Sequence, residues 1–524
     1  MKHLPAFSFF LSALISVGVA QESRLAKKYS SFIDTASAHK HLSILASDEF
    51  EGRETGKPGA AKAANYLSAE FKKLGLAAPL SGSYFQDVDL VEKSFEVANF
   101  TINNTELKHY QDFYIKTISG QKQVDASNII FVGYGISSPK YDDFKGLDIA
   151  GKVVMLIGEG EPVRKDVSFV TGTPELSEWS RTLNKRIDAL KAKNPELILV
   201  VSSEAVSSVK PPKRRHGIPV TINRPAENNA GSNSPEIFIT TETANLILKP
   251  TGKTINQLAS SISQYGQPLS QNIKVAFSTS FGTKVNSLDA VNVLGYLEGT
   301  DLKDELIVIS AHYDHIGLNP NGADKVFNGA DDDGSGTTAV LELAEAFTEA
   351  KKHGNGPRRS ILFLLVVGEE KGLLGSEWYS ENPVFKLENT ITNLNIDMIG
   401  RVDPDHKNSP NYCYLIGSDK LSSELHKISE NANATYTKFK IDYKYNDPKD
   451  PERIYYRSDH YNFAKHNIPV IFYFNGVHKD YHQPGDEVSK IDFPLLTKRA
   501  KLVFYTAWDL VNRDKRPVVD SHKE

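Results

Sequence analysis

A single cysteine, Cys413, stands in 524 residues. No intramolecular disulfide can form, and a closed thiolate metal site is excluded with it. Set between two tyrosines in the apolar run YCYLI, Cys413 reads as a buried structural thiol. An excess of one charge is also missing, since 61 Lys and Arg stand against 65 Asp and Glu, a formal net charge of -4. Nothing in that balance points to nucleic acid. The local basic cluster Lys210, Lys213, Arg214 and Arg215 lies in a Pro-containing stretch and reads as a solvated loop. Long apolar runs are scarce. One runs from Leu4 to Val19 after Lys2 and His3, with the small residues Gly18 and Ala20 at its end. It reads as a secretory signal over 1–20, cleaved after Ala20. No later run approaches the ~20 residues that cross a bilayer. The expected mature chain is therefore exported, periplasmic or secreted, with no integral membrane segment.

What is present exceeds one ordinary core, so two or more domains are expected. Ala60, Ala64, Leu67, Phe71 and Leu74 recur at spacings of four and three, which predicts an amphipathic helix opened by Pro58 and Gly59 and ended at Gly75. The polar stretch 42–59 before it reads as a loop or lid. Residues 105–275 form a separate module of short strands (NIIFVGYG, KVVMLIG, LILVV), with helices near 179–193 and at TINQLASSI. Few acidic or imidazole side chains sit at its strand ends, so a binding or shielding role is expected there. The remaining divisions are 21–104 and 276–512 as the two parts of one catalytic domain, and 513–524 as a charged, disordered tail.

From Val291 onward, apolar strands alternate with helical patterns: NVLGYLEG, LIVISA, a helix through Val340, Leu343, Ala344 and Phe347, ILFLLVV, a helix near 372–381, NLNID, IPVIFYF and a closing helix at KRAKLVFYTAWDLV. Continuous apolar strands between helices predict an α/β fold with a mostly parallel central sheet covered on both faces. Sites in such sheets form at the carboxyl ends of strands. His312, Glu369, Glu370 and Asp397 all fall there, and His482 follows the last strand after a short loop. Imidazoles and carboxylates together supply the mixed N and O donors that Zn(II) accepts at ~2.0–2.2 Å. In the pair Glu369-Glu370, neighbouring extended residues point to opposite sides, so one can bind metal while the other acts as a base.

The ordered motifs HYDHIG, NGADDDGSG, VGEEKGLLGS, NIDMIG and YHQPGDE resemble those of the co-catalytic di-zinc aminopeptidase family, which also holds glutamate carboxypeptidases and glutaminyl cyclases. The resemblance is strong over 285–510 and weaker over 36–90. The module between is similar to the mainly β protease-associated domain inserted in many members of this zinc exopeptidase fold. Carried over by motif, the resemblance implies two Zn(II): one held by His312, Asp332 and Asp397, the other by Asp332, Glu370 and His482. Asp332 is the implied bridge, three residues before Ser335. Glu369 becomes the general base that activates the attacking water, and Asp314 orients His312. The implied activity is hydrolysis of N-terminal residues from peptides.

Other readings follow from the same residues. Asp331 and Asp333 are expected as turn or N-cap residues of the helix near Ser335. His315, His460, His466 and His478 are expected at the surface or hydrogen-bonded, Asp459 near the site, and Tyr455 and Tyr456 in the core. Some secreted members carry a disulfide near the site, which this chain cannot. A full two-metal set counts against glutaminyl cyclase activity, and the lack of an Arg cluster near the motifs counts against a glutamate carboxypeptidase. An inactive peptide-binding relative is disfavoured by the intact Glu369.

Overall fold

The computed structural model describes residues 21–116, 118, 120–211, 218–225 and 234–522. The expected signal at 1–20 and Lys213, Arg214 and Arg215 lie outside the described residues. Two compact units divide the chain. The first takes in the described residues up to Val91, Val220–Asn223 and those from Ser287 on; the second is Glu92–Pro219 with Arg224–Asn286.

The first unit carries every motif. In chain order its elements are α1 (Thr35–Leu45), α2 (Pro58–Leu74), β1 (Phe85–Asp87), β2 (Val291–Leu297), β3 (Leu302–His312), α3 (Gly334–Lys352), β4 (Arg359–Val366), α4 (Leu374–Glu381), β5 (Thr390–Ile396), β6 (Tyr412–Ile416), α5 (Ser423–Ala432), β7 (Lys440–Asp442), β8 (Val470–Phe474) and α6 (Phe493–Asn512). Its eight-stranded sheet has the order β1-β2-β4-β3-β5-β8-β6-β7. The central run β4-β3-β5-β8 is parallel, while β1, β2 and β6 pair antiparallel with their inner neighbours. Alternation along each strand feeds two cores. Ile307, Ile309, Ala311, Ile361, Phe363 and Leu365 pack on one face with Phe347 of α3 and Phe504 of α6. Leu306, Val308, Leu362, Leu364 and Val366 pack on the other with Tyr379 of α4. Covered on both faces, these strands read as unbroken apolar runs.

Two expectations are corrected here. The stretch 42–59 is not a loose lid: α1 runs through Leu45, a helical turn follows at Asp48–Arg53, and Phe50, Gly52 and Arg53 are buried. The charged tail is not disordered as far as residue 522, because its charges find partners. Arg513 and Arg516 pair with Glu424 and Glu305 at 2.9 and 2.8 Å, and the Asp520 carboxylate accepts the Ser423 N–H at 2.8 Å.

In the second unit, Gln121–Phe131, Val153–Ile157, Leu197–Val201 and Glu236–Ile239 pair parallel in that order. Antiparallel strands flank them, and Leu183–Lys191, Thr241–Leu248 and Ile255–Tyr265 are helices. The segment expected from sequence, 105–275, lies in this unit apart from Val220–Asn223, and the unit runs beyond it on both sides, from Glu92 to Asn286.

Glu342 of α3 is buried where it accepts the backbone N–H of Asp34, the N-cap of α1, at 3.1 Å. Burial, with Glu345 and Asp34 adding repulsion against the hydrogen bonds it accepts, pushes its carboxyl up to about 7. A carboxyl raised in the folded state binds protons there that the unfolded chain has lost, so stability falls as pH rises from the ordinary glutamate range through about 7. Glu342→Gln keeps an acceptor for Asp34. It is expected to be near neutral at pH 4.5 and to stabilise the protein by roughly 1–3 kcal/mol at pH 8 in urea unfolding; equal effects at both pH values contradict this.

Candidate metal centre

Register brings the motif-bearing strand ends level. His312, the last residue of β3, pairs with Val366 at the end of β4, Ser310 pairs with Asn395, and Ile396 pairs with Tyr473 of β8. Glu369-Glu370, Asp397 and the loop to His482 therefore leave the sheet on one ledge, above the N-terminus of α3.

On that ledge Asp332 stands between two groups. Its Oδ1 lies 3.4 Å from His312 Nε2, which is 3.7 Å from Asp397 Oδ1. Its Oδ2 lies 3.1 Å from His482 Nε2, which is 3.0 Å from Glu370 Oε2. Donor atoms sharing a tetrahedral ion at ~2.0–2.1 Å sit about 3.3 Å apart, so these separations suit a divalent cation on each side of Asp332. Two oxygens also await a partner: Asp332 Oδ2 and Glu370 Oε1 are buried without an aligned hydrogen bond. The residues fit a pair of cations by donor type, spacing and open valence.

Proximity alone would also admit Asp333 beside His312 and Asp397, and His315 beside Asp332 and Glu370. Hydrogen bonding commits Asp333 and its neighbour Asp331. Asp333 Oδ1 accepts the N–H groups of Gly336 and Met398 at 2.9 and 3.0 Å, and Oδ2 accepts that of His312 at 3.2 Å. It is the N-cap of α3. Asp331 accepts the N–H of Gly400 and the Ser335 hydroxyl, and faces His478 Nε2 at 3.1 Å. His315 Nδ1 is 2.8 Å from Glu370 Oε1, closer than two ligands of one ion stand.

Some residues near the centre depart from expectation. His315 is neither at the surface nor in an aligned hydrogen bond: it is fully buried, its ring against Gly329. A Cβ on Gly329, whose φ is +56°, would lie 2.5 Å from that ring, so glycine is required there. His460 is buried against Phe472 and His466 is exposed. Asp459 is buried and accepts the Ser376 hydroxyl at 2.5 Å. Tyr456 is exposed rather than core, with the Arg453 guanidinium 4.8 Å from its ring centre. The His312 Nδ1 atom is 3.8 Å from the Asp314 carboxylate and 3.1 Å from Asp314's own carbonyl oxygen.

Burial raises the Glu369 carboxyl well above the usual carboxylate range, His312 working against this while Glu370 and Asp397 add to it. Glu370 goes the other way. Against burial and the repulsion of Asp332, its contacts with His315 and His482 pull it down to about 2. The adjacent glutamates are thus split into one that takes protons and one that stays anionic.

Several residues of this assembly have no mark in the sequence. Arg53, fully buried, donates from Nε to Tyr313 O, from Nη1 to Leu45 O and Asn328 O, and from Nη2 to Gly329 O, all at 2.7–2.8 Å. Ser458 donates to Asp397 Oδ2 at 2.7 Å, leaving Oδ1 toward His312. Asp486 Oδ2 accepts the N–H groups of Asp331 and Asp332 at 2.9 and 3.0 Å, tying the His482 loop to the Asp332 loop. That aspartate lies within the motif YHQPGDE, which is its signal in the sequence. The adjoining cleft, of about 30 Å³, is lined by Met398, Ile454, Phe472, Phe474 and Val477, with Arg457 and Tyr481 beside Asp332, Glu369 and Asp397. A roomier cavity of about 670 Å³ by Tyr436, Tyr505 and Trp508 holds none of these groups and takes no part in the site.

Residues 292–507 match the family described as Peptidase family M28. This segment belongs to that family. The M28 segment carries all five motifs. Over 215 residues the chain is 30% identical to "Probable leucine aminopeptidase" of Trichophyton verrucosum, covering 40% of this chain and 54% of that one. Over 278 residues it is 26% identical to "Probable zinc metalloprotease" of Phaeosphaeria nodorum, covering 44% and 54%. The chain thus spans about half the length of the curated relatives it matches. Among solved structures, the aminopeptidase from Aneurinibacillus sp. strain AM-1 aligns over 95% of this chain and 98% of that one, at 17% identity and a TM-score of 0.45.

Arg53→Met would leave the carbonyl oxygens of Leu45, Tyr313 and Asn328 without their donor, while Gly329 O keeps the Gly334 N–H at 3.2 Å. The expected loss is at least about 3 kcal/mol in urea unfolding; a loss under about 1 kcal/mol would show that Arg53 does not hold these loops.

Proposed function

We propose that the chain is an exported, zinc-dependent aminopeptidase that removes N-terminal residues from peptides. The observation that carries this reading is the division of Asp332 between two sets of donors, one oxygen toward His312 and Asp397 and the other toward Glu370 and His482. Relatives named as a leucine aminopeptidase and a zinc metalloprotease support the metal and the reaction class. In this reading each set holds one Zn(II), with Asp332 between them. Bound zinc supplies a Lewis acid and lowers the pKa of water. Glu369, 3.9 Å from His312 Nε2 and with no metal to hold, takes the proton of the attacking water and returns it to the leaving amine. Tyr481 and the apolar wall of Met398, Phe472 and Phe474 border the centre on the side where the released residue would lie.

Export rests on the composition of 1–20, and among the described residues no helix is long and apolar enough to cross a membrane. The segment 105–275 is read as a module of the protease-associated type. A carboxypeptidase is the second reading, and Arg457 favours it, since an exposed guanidinium at the cleft can pair with a substrate carboxylate. A peptide series with blocked N-termini separates the two: an aminopeptidase leaves the blocked peptides intact, and their cleavage selects the carboxypeptidase.

Chelation should abolish activity, and metal analysis should find close to two zinc per chain. Glu369→Gln is expected to keep both metals and to lose on the order of 100-fold to 10,000-fold in rate. Asp332→Asn should lose zinc as well as rate. Equal metal content in the two variants would overturn the division between base and ligand.

A further inference from the structure

The short segment Arg53-Glu54-Thr55 reaches three loops of the site. Arg53 holds the carbonyl oxygens of Tyr313, Asn328 and Gly329. Glu54 forms a β-bridge with His315 and pairs with Lys371, next to the glutamate pair, at 3.0 Å. Thr55 donates its hydroxyl to Asp314 Oδ2 at 2.7 Å.

Asp314 is fully buried, so its two oxygens must be satisfied by the protein. Oδ2 takes the Thr55 hydroxyl, and Oδ1 takes the backbone N–H of Glu369 at 3.2 Å. The imidazole of His312 is not the main partner of this carboxylate, because its Nδ1 hydrogen-bonds the Asp314 carbonyl. The carboxylate's bonds lead instead to the main chain of the base. Both oxygens belong to one rigid plane, so turning one away from its donor turns the other. Thr55 is itself fixed, being buried beside an arginine that makes four hydrogen bonds.

We propose that Thr55 is a positioning residue for the reaction, setting the height and direction of Glu369 through Asp314; this rests on the reading of Glu369 as the base. The N-terminal part of the chain would then contribute to catalysis without touching metal or substrate. Its contribution is to keep the glutamate's main chain from drifting while the side chain accepts a proton.

Thr55→Val removes the donor at nearly constant volume, and Thr55→Ser retains it. In the zinc-loaded full chain, Thr55→Val is expected to keep the wild-type zinc content and to change KM by less than about twofold. The value of kcat should fall roughly 10- to 100-fold, as losses of supporting partners at metal sites do. Amide hydrogen exchange over 367–371 should become at least about tenfold faster, because the Glu369 N–H loses its held acceptor. Thr55→Ser should restore kcat and protection together. Unchanged exchange or unchanged kcat in Thr55→Val overturns the proposal, as does zinc loss in proportion to the fall in rate, which would mean that Thr55 supports a ligand. Failure of Thr55→Ser to rescue kcat also overturns it. The exchange measurement needs no substrate. If the wild-type chain releases no amino acid from any peptide, the reading of the base fails while the link from Thr55 to Glu369 is still measured.

Discussion

Four carboxylates with free oxygens, Asp332, Glu369, Glu370 and Asp397, converge on two imidazoles at strand ends largely closed to water. Two like charges ~4 Å apart repel by about 4 kcal/mol at an effective dielectric of 20. Such a set can exist only if positive charge is drawn in among it. The histidines register this demand. Against burial, Glu369, Asp332 and Asp397 raise His312 well above its ordinary range, and Asp332 and Glu370 raise His482 to about 10. The same field would draw a divalent cation, which the donors are spaced to receive.

The rest of the site can be understood as what keeps this crowd from relaxing. Asp331, Asp333, Asp314 and Asp486 are as buried as the four, but each accepts at least one backbone N–H. Their charge goes into holding loops. The distinction between a holding and a binding carboxylate is therefore one of committed oxygens, not of position in sequence, since Asp331, Asp332 and Asp333 are consecutive and only the middle one keeps an oxygen open. Arg53 has the matching role among cations. With no carboxylate partner within bonding distance among the described residues, it serves carbonyl oxygens from three segments and adds positive charge close to the cluster.

The architecture was legible in the sequence where one physical rule acted alone. Unbroken apolar strands gave away the doubly covered sheet, and the placement of His312, Glu369, Glu370 and Asp397 after strands pointed to its carboxyl edge. Helix ends at Gly75 and near Ser335 followed from capping chemistry. Supporting contacts were not legible, because their partners are remote: Thr55 lies 259 residues from Asp314, and Arg53 lies 275 from Asn328. The stretch 42–59 looked like a loop since its polar residues and glycines were weighed by composition, whereas a buried arginine satisfied by carbonyls makes such a stretch core. The burial of His315 is hidden from the sequence for a related reason. Whether a histidine is exposed depends on what lies over it, here a glycine and two carboxylates from other loops.

NLNID places two buried asparagines in the central strand β5, where amides usually cost stability unless paired. Asn393 Nδ2 donates to Ser310 Oγ at 2.8 Å, Ser310 donates to Asn395 Oδ1 at 2.7 Å, Asn395 Nδ2 donates to Ser458 Oγ at 2.8 Å, and Ser458 donates to Asp397 Oδ2 at 2.7 Å. Each link passes a proton donor in one direction, and the sequence ends on an anion. Hydrogen bonds ordered this way polarise one another, so the last one holds its carboxylate more firmly than an isolated serine would. It also decides which oxygen is free. With Oδ2 taken from inside the sheet, Asp397 can offer only Oδ1 on the side of His312. The polar residues inside β3 and β5 are therefore part of the site, and their cost to the core is offset by an Asp397 that arrives at the strand end already oriented.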